Sequence, residues 1–342
     1  MSDYLKQILP ALREAIKQHS VLALMLTFVV ALWGVALPTR AISSGWIIGL
    51  TVVLVLVGLL FDTFILRAKP IRDSVSNIVL FDESHGQPNW IYAPAPTIEG
   101  GYGQIAETTR RHYNIEILKE GEDISLKKLC NYAAFILPIG PEGKCSLTPN
   151  ERKAITEYVH QGGGLLLLSI YAADWHHKAN INEITQNYGM VFNTDVVMPK
   201  GATAQDAKDQ FAEGSPSSKN VVSARPVQNE EGKGIVGELT KDIHQIATIS
   251  SCSLTISDAA VPIVTTDPES VVFEPEPIGG GIAIRQYLEK RTESVPIVGA
   301  SRSGKVIAVG SWKMFLDDFV DLPNSDNCRL YQNILGWLTS RR

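Results

Sequence analysis

Acidic, hydroxyl and imidazole side chains occur in short polar segments that directly follow apolar runs of the chain. The residues of interest are Asp82, Glu83, Ser84, His85, Asp174, His176 and Ser311. Carboxylates and imidazoles bind divalent metal ions and transfer protons, so these residue types suit a metal site or an acid–base pair. The sequence therefore predicts a candidate ligand-binding crevice, and it leaves open whether a metal ion or any other cofactor binds there.

Polar loops also follow the strands of α/β proteins that bind nothing, and this alternative stays open for the same residues. Asp82 suits the cap of a turn, and His85 suits a solvated loop position. The adjacent order of Glu83, Ser84 and His85 does not make a catalytic triad, because triad members meet through the fold rather than along the chain.

The apolar runs before these segments have the length and composition of buried strands in a parallel sheet. The predicted strands cover residues 78–81, 115–118, 133–137, 165–168 and 306–309. Helical patterns alternate with them at residues 102–113, 126–129, 148–160 and 327–338. This alternation predicts an α/β domain whose parallel sheet carries helices on both faces. Ligands bind outside the carboxyl ends of such strands, where the polar segments lie.

The sequence predicts the start of one helix from a capping pattern. Thr148 suits the N-cap, Pro149 the first helical position, and Glu151 the third, which is the pattern of a capping box. The glycines at 162–164 end that helix and lead into the next strand. Later β-like runs at 246–249, 261–264, 271–273 and 295–298 predict a smaller β-rich part.

Several of these segments, in this order, resemble one family. They are Phe81–Gly86, Leu137–Pro141, Leu147–Arg152 leading to Gly162–Leu166, and the ending Gly304–Leu338. The order is similar to that of the type 1 glutamine-amidotransferase-like domain of gliding-motility ABC-transporter auxiliary proteins and of an intraflagellar-transport subunit. The resemblance implies a flavodoxin-like sheet and a binding or scaffolding role rather than catalysis.

An amidotransferase nucleophile would be a cysteine on a tight turn after a central strand, with a histidine to activate it. The two candidate turns, residues 138–141 and 169–173, contain no cysteine. The cysteines lie elsewhere, at Cys130, Cys145, Cys252 and Cys328, without a CxxC spacing, which favours free thiols. The sequence therefore favours a non-catalytic role.

The N-terminal region has the composition of a membrane anchor. Residues 21–37 form an uncharged apolar run, and a second run spans residues 46–66, so residues 21–67 are predicted to form a transmembrane helical hairpin. Residues 1–20 form an amphipathic segment that lies either on the membrane surface or against the soluble domain. Basic residues flank the hairpin on both sides, which predicts a multi-pass protein of a bacterial inner membrane with both termini in the cytoplasm. The gliding-motility relatives are expected outside the cytoplasmic membrane, so the charge pattern departs from the resemblance here.

Residues 76–342 are predicted to form the cytoplasmic amidotransferase-like domain, with residues 198–234 as a flexible insertion. The net charge of −5 gives no field that would attract nucleic acid. The leading hypothesis is a membrane-anchored, non-catalytic binding or scaffolding module whose partners are the lipid bilayer and proteins of a membrane complex. The alternatives are a ligand-responsive membrane sensor or effector and a metal-dependent hydrolase that uses the Asp82/His85 crevice. The sequence does not identify the partner or the pathway.

Overall fold

The computed structural model describes residues 77–85, 101–139, 145–174, 178–207, 220–227, 234–278, 281–284 and 291–340. The predicted N-terminal segment 1–20 and the predicted hairpin 21–67 lie outside these residues. Across the described ranges, no helix combines the length and the apolar character that crossing a membrane requires. The described residues belong to one compact unit, Arg72–Arg342.

Strands and helices alternate in the first part of this unit, and strands dominate the later part. The strands are β1 (Ile78–Asp82), β2 (Asn114–Leu118), β3 (Ala134–Pro138), β4 (Gly164–Leu168), β5 (Met190–Phe192), β6 (Val196–Met198), β7 (Val222–Pro226), β8 (Ile246–Thr248), β9 (Leu254–Ile256), β10 (Ala260–Thr266), β11 (Val271–Phe273), β12 (Pro275–Ile278), β13 (Gly281–Ile284), β14 (Arg291–Thr292), β15 (Pro296–Ser301) and β16 (Val306–Val309). The α-helices are α1 (Gly103–Arg110), α2 (Leu126–Leu129), α3 (Pro149–His160), α4 (Asn182–Thr185), α5 (Gly234–Leu239), α6 (Asp317–Val320) and α7 (Asn327–Thr339). Two 3₁₀-helices cover Gln186–Tyr188 and Trp312–Phe315.

Nine strands form the central sheet, in the order β2-β1-β3-β4-β16-β15-β10-β7-β8. The strands from β2 to β16 run parallel, and those from β16 to β8 pair antiparallel. Every residue of β3 and β4 is buried, as their uninterrupted apolar sequences predict. The mixed α/β fold class is therefore confirmed, together with the five strands of its parallel half.

The later strands differ from the prediction of a smaller β-rich part. β7, β8, β10 and β15 extend the central sheet rather than forming a separate layer. Periodicity identifies strands without fixing their neighbours, because pairing depends on contacts distant in sequence. Three small sheets remain outside the central one: β14-β11-β6, β12-β13 and β5-β9.

The predicted flexible insertion 198–234 is wrong for residues 222–226. These residues form β7, which pairs with both β10 and β8 inside the central sheet. Val222 and Ala224 are buried, whereas Ser223 and Arg225 alternate with them on the other side of the strand. A strand with only two small apolar residues gives too weak a period-two pattern to stand out between polar neighbours.

Candidate functional site

The polar segment after β1 folds back on itself around the carboxylate of Asp82. Asp82 Oδ1 accepts hydrogen bonds from the Ser84 N–H at 3.0 Å and from the Ser84 hydroxyl at 2.5 Å. Asp82 Oδ2 lies 2.9 Å from His85 Nδ1. Both Asp82 and His85 are buried, and Ser84 is half-buried. The structure therefore brings together three of the predicted site residues in one turn.

Glu151 completes this cluster from the opposite side of the imidazole. Its Oε1 lies 3.4 Å from His85 Nε2, while its Oε2 accepts from the N–H and the hydroxyl of Thr148, each at 2.8 Å. Thr148 caps α3, Pro149 opens it, and the capping box is present, so the predicted helix start is confirmed. Glu151 was absent from the predicted site because its sequence pattern indicated only a cap. The parallel neighbour relation of β1 and β3 places the start of α3 beside Asp82.

His85 and Glu151 favour each other's charged forms, as the directions of their pKa shifts show. Burial lowers the pKa of His85, but the hydrogen bond and charge of Asp82, followed by those of Glu151, outweigh it and leave the pKa raised. Burial raises the pKa of Glu151, but hydrogen bonds from Thr148 and the nearby His85 outweigh it and leave the pKa lowered. The imidazolium form of His85 is thus favoured between two carboxylates.

This geometry differs from that of a nucleophile-activating relay. A relay needs the hydroxyl on one ring nitrogen and the carboxylate on the other. Here the Ser84 hydroxyl lies 2.9 Å from His85 Nδ1, the same nitrogen that faces Asp82, and Nε2 faces Glu151. The N-terminus of α3 would suit an anionic ligand, but the chain's own Glu151 carboxylate occupies that position. The cluster is therefore an internal clasp that joins the end of β1 to the start of α3.

The other predicted site residues lie in separate networks. The Asp174 carboxylate accepts from the N–H groups of Ile181 and Asn182 at 2.8 Å each, at the start of α4, and burial raises its pKa. The buried Ser311 hydroxyl donates to the Ile249 carbonyl at 2.5 Å. The Glu83 N–H donates to the Leu118 carbonyl at 2.8 Å and continues the β1–β2 ladder. His176 lies outside the described residues.

The Asp82 carboxylate is hydrogen-bonded to Ser84 and His85, whereas the Asp174 carboxylate is hydrogen-bonded to Ile181 and Asn182, so the two carboxylates belong to different networks. Within the ranges that the structure describes, no group of three or more His, Cys, Asp or Glu side chains is arranged to hold a metal ion. The ligand-binding role predicted for this crevice stays a prediction.

The turn after β4 contains one residue in a strained backbone conformation. Ala172 has a φ of +53°, in the left-handed region that non-glycine residues enter only under constraint, and it is fully buried. Nucleophiles of hydrolases are presented on strained turns of this kind after a strand. Here the strained position carries only a methyl group.

Two buried thiols near the same end of the sheet are poorly suited to nucleophilic attack. Burial raises the pKa of Cys145 to about 11, and burial raises that of Cys252 well above its ordinary value. The thiolate is the nucleophilic form, so a raised pKa makes a thiol inert at neutral pH.

Most of the chain matches one known protein family. The family described as the IFT52 GIFT domain matches residues 95–342. The chain belongs to this family. The predicted relation to an intraflagellar-transport subunit is confirmed, and the relation to amidotransferase-like and gliding-motility proteins stays a prediction.

Curated relatives of the IFT52 GIFT family agree with this assignment. The chain is 23% identical over 260 residues to the intraflagellar transport protein 52 homolog of Mus musculus, covering 71% of this chain and 53% of that protein. The homolog of Homo sapiens is also 23% identical over 260 residues, covering 71% of this chain and 51% of that protein. The chain therefore spans about half the length of the curated relatives that it matches.

A solved structure described as the mmIFT52 N-terminal domain has the same fold. It superposes with a TM-score of 0.54 at 18% sequence identity and covers 77% of this chain and 98% of that one. The predicted location, a bacterial inner membrane with both termini cytoplasmic, is wrong, because the curated relatives are intraflagellar transport proteins of mouse and human. That prediction rested on the basic residues that flank two apolar runs. Such a pattern does not identify the kind of cell or membrane.

Within this GIFT domain, Thr148→Ala tests how far the clasp depends on the helix cap. The substitution removes the side-chain acceptor for the Glu151 N–H and the hydroxyl that holds Glu151 Oε2. We expect the free energy of unfolding to fall by about 1–2 kcal/mol, the upper range for an N-cap. Urea unfolding followed by tryptophan fluorescence measures it. Thr156→Ala, which removes a hydroxyl within the same helix, is the matched control and should cost less. Equal losses in both variants would contradict a role for the cap in the clasp.

Proposed function

We propose that the chain is a non-catalytic scaffold subunit that binds other proteins in a complex, as intraflagellar transport proteins do. The observation that carries this proposal is the pairing of buried side chains between the end of β1 and the start of α3. Of the side chains predicted to bind a ligand there, His85 pairs with Asp82 through Nδ1 and with Glu151 through Nε2. In the turn after β4, the residue with the left-handed backbone is Ala172, whose methyl side chain cannot act as a nucleophile.

The family relationship supports the same proposal. The matched curated relatives are named as transport proteins, and their names state no enzymatic activity. A flavodoxin-like origin of the domain is supported by the strand order β2-β1-β3-β4-β16, which is the 2-1-3-4-5 order of doubly wound sheets. On such a sheet the switch point lies between β1 and β3, and the clasp joins the end of β1 to the helix that follows β3.

We further propose that residues 21–67 hold this subunit at a lipid bilayer. The support is the sequence itself, with two apolar runs long enough to span a hydrocarbon core and separated by a short turn. A subunit held at a bilayer, with its folded domain outside the lipid, would recruit its protein partners to that surface.

Capture of partners by the full chain tests the proposal. The tagged full chain, extracted in a mild detergent from the cells that make it, should co-purify with partner proteins in stoichiometric amounts. The Ser84→Ala variant removes the hydroxyl nearest His85 and should retain the same partners. Added Zn²⁺ should not bind the purified chain stoichiometrically. A chain that purifies alone while binding Zn²⁺ would favour the hydrolase alternative, and loss of partners in Ser84→Ala would favour a crevice that binds a ligand.

A further inference from the structure

Among the residues that the structure describes, no strand pairs with the outer side of β2, at one edge of the central sheet. β2 is the outermost strand of the parallel half. The Asn114 N–H donates to the Asn77 carbonyl and the Leu118 carbonyl accepts from the Glu83 N–H, each at 2.8 Å. Inward and outward backbone groups alternate along a strand in a parallel pair, so Ile115 and Ile117 direct their N–H and C=O groups away from β1.

The backbone groups on either side of this pair are already bonded within the chain. The Tyr113 N–H donates to the Thr109 carbonyl at 2.9 Å, and the Lys119 N–H donates to the Glu122 carboxylate at 2.8 Å. For the part of the chain that the structure describes, no hydrogen bond reaches the outward N–H or C=O groups of Ile115 and Ile117. The open edge therefore consists of four backbone groups on two residues.

The opposite edge of the same sheet is closed by a side chain. The Ala247 N–H in β8 donates to Asn327 Oδ1 at 3.1 Å, and Asn327 Nδ2 donates to the Ala247 carbonyl at 2.8 Å. The carboxamide thus pairs with the edge as a further strand would. Unpaired edges promote association with other chains, and proteins usually cover them. Because the β8 edge is covered and the β2 edge at the other end of the sheet is not, β2 is the edge available for a partner.

The side chains of β2 define what a partner strand would meet. Ile115 and Ile117 are half-buried on one face of the strand, and Glu116 is exposed on the other. The Tyr132 hydroxyl donates to Glu116 Oε2 at 2.6 Å and so fixes the direction of the carboxylate. An added strand would place apolar residues against the two isoleucines and one residue against Glu116.

A second copy of this chain fits that edge poorly. Only an antiparallel pairing centred on Glu116 satisfies all four open groups, because Tyr113 and Lys119 are already bonded. In that pairing Ile115 faces Ile117 of the copy and Glu116 faces Glu116, at a separation of about 4.5 Å between Cα atoms for a non-hydrogen-bonded pair. Like charges placed directly opposite one another destabilise a sheet.

We propose that β2 binds a strand of a partner protein with the pattern apolar–basic–apolar, added antiparallel to the edge at Ile115–Ile117. This inference rests on the proposed scaffold function and names the surface and the partner chemistry for it. Four backbone hydrogen bonds give the affinity, and the basic residue opposite Glu116 gives the selectivity.

A cyclic β-hairpin peptide with Val-Lys-Val on its free strand, labelled with a fluorescent dye, is the probe. The full chain in detergent should bind it, and a probe with Val-Glu-Val should bind about tenfold more weakly. The Glu116→Lys variant should reverse this order. Ile117→Pro removes one outward N–H without touching the β1–β2 ladder, since proline is tolerated at an edge facing outward. It should weaken binding about tenfold. The control Ile117→Val keeps the N–H and should bind normally.

Hydrogen exchange in the full chain distinguishes a partner strand at β2 from another segment of this chain at the same edge. The amides of Ile115 and Ile117 should exchange rapidly without the probe and slowly with it. Slow exchange in the monomer before the probe is added would overturn the inference in favour of another segment of this chain. A dimer that Ile117→Pro dissociates would overturn it in favour of a second copy. Normal probe binding by a folded Ile117→Pro variant would also overturn it.

The two proposals fail in different ways. If the full chain captures partner proteins that Ile117→Pro retains, the scaffold function stands and the β2 inference fails. If the full chain captures no partner although the probe binds β2 as described, the edge is real and the scaffold function fails.

Discussion

Replacing Asn327 with leucine should lower the free energy of unfolding by about 4 kcal/mol, a large loss for a single side chain. Asn327 is fully buried at the start of α7. Besides its two bonds to Ala247, its Nδ2 donates to the carbonyls of Met314 at 2.9 Å and Phe319 at 3.2 Å. Leucine fills a similar volume and leaves these buried backbone groups without their partner, so the loss measures hydrogen bonding rather than a cavity.

Urea unfolding of the full chain, followed by tryptophan fluorescence, measures the loss as a lower midpoint with an unchanged slope. Asn333→Leu, in the same helix, is the matched control. The Asn333 side chain donates to the carbonyls of Leu239 and Lys241 at 3.1 and 2.8 Å, but it is half-buried, so water can replace it. We expect the free energy of unfolding to fall by about 1 kcal/mol in this variant. Similar losses at both positions would show that the closure of the β8 edge has no special importance.

The parallel half of the fold was predictable because its strands carry a strong local signal. β3 and β4 are buried on both faces, so each appears as an unbroken apolar run. Short antiparallel strands such as β5 and β6, with three residues each, give no periodic pattern long enough to recognise. Their partners, β9 and β11, lie far along the chain, and pairing of that kind is set by the assembled fold.

In the candidate site, too, contacts between residues close in sequence were predictable, and contacts that depend on the assembled fold were not. Asp82 and His85 were predictable as neighbours because only two residues, in one turn, lie between them. Glu151 was recognised as a helix cap, but its contact with His85 depends on β1 lying next to β3, which the sequence pattern does not encode. Asp174 was assigned to the same crevice for its position after β4. Its carboxylate accepts from the N–H groups of Ile181 and Asn182, where α4 begins.

The clasp makes the stability of this domain depend on pH on both sides of neutrality. The folded pKa of His85 is raised, so its contribution is complete below the ordinary value of 6.5 and is lost as the pH rises through the folded pKa. The folded pKa of Glu151 is lowered from 4.5, so its contribution is complete above that value and is lost as the pH falls through the folded pKa. Stability from the clasp should therefore be greatest from about pH 5 to 6.5.

The substitution His85→Leu should cost about 3–5 kcal/mol at pH 6, because it leaves Asp82 and Glu151 as buried carboxylates without their shared cation. The cost should shrink as the pH rises above 6.5 toward the folded pKa of His85, since the contribution of the raised pKa is lost over that range. Urea midpoints at pH 6 and 9 measure this difference, with the exposed His160→Leu as a control that should show none. A His85→Leu curve that runs parallel to the wild-type curve between these pH values would show that His85 is neutral in the fold. The clasp would then be held by hydrogen bonds alone, and removing His85 would cost about the same at every pH.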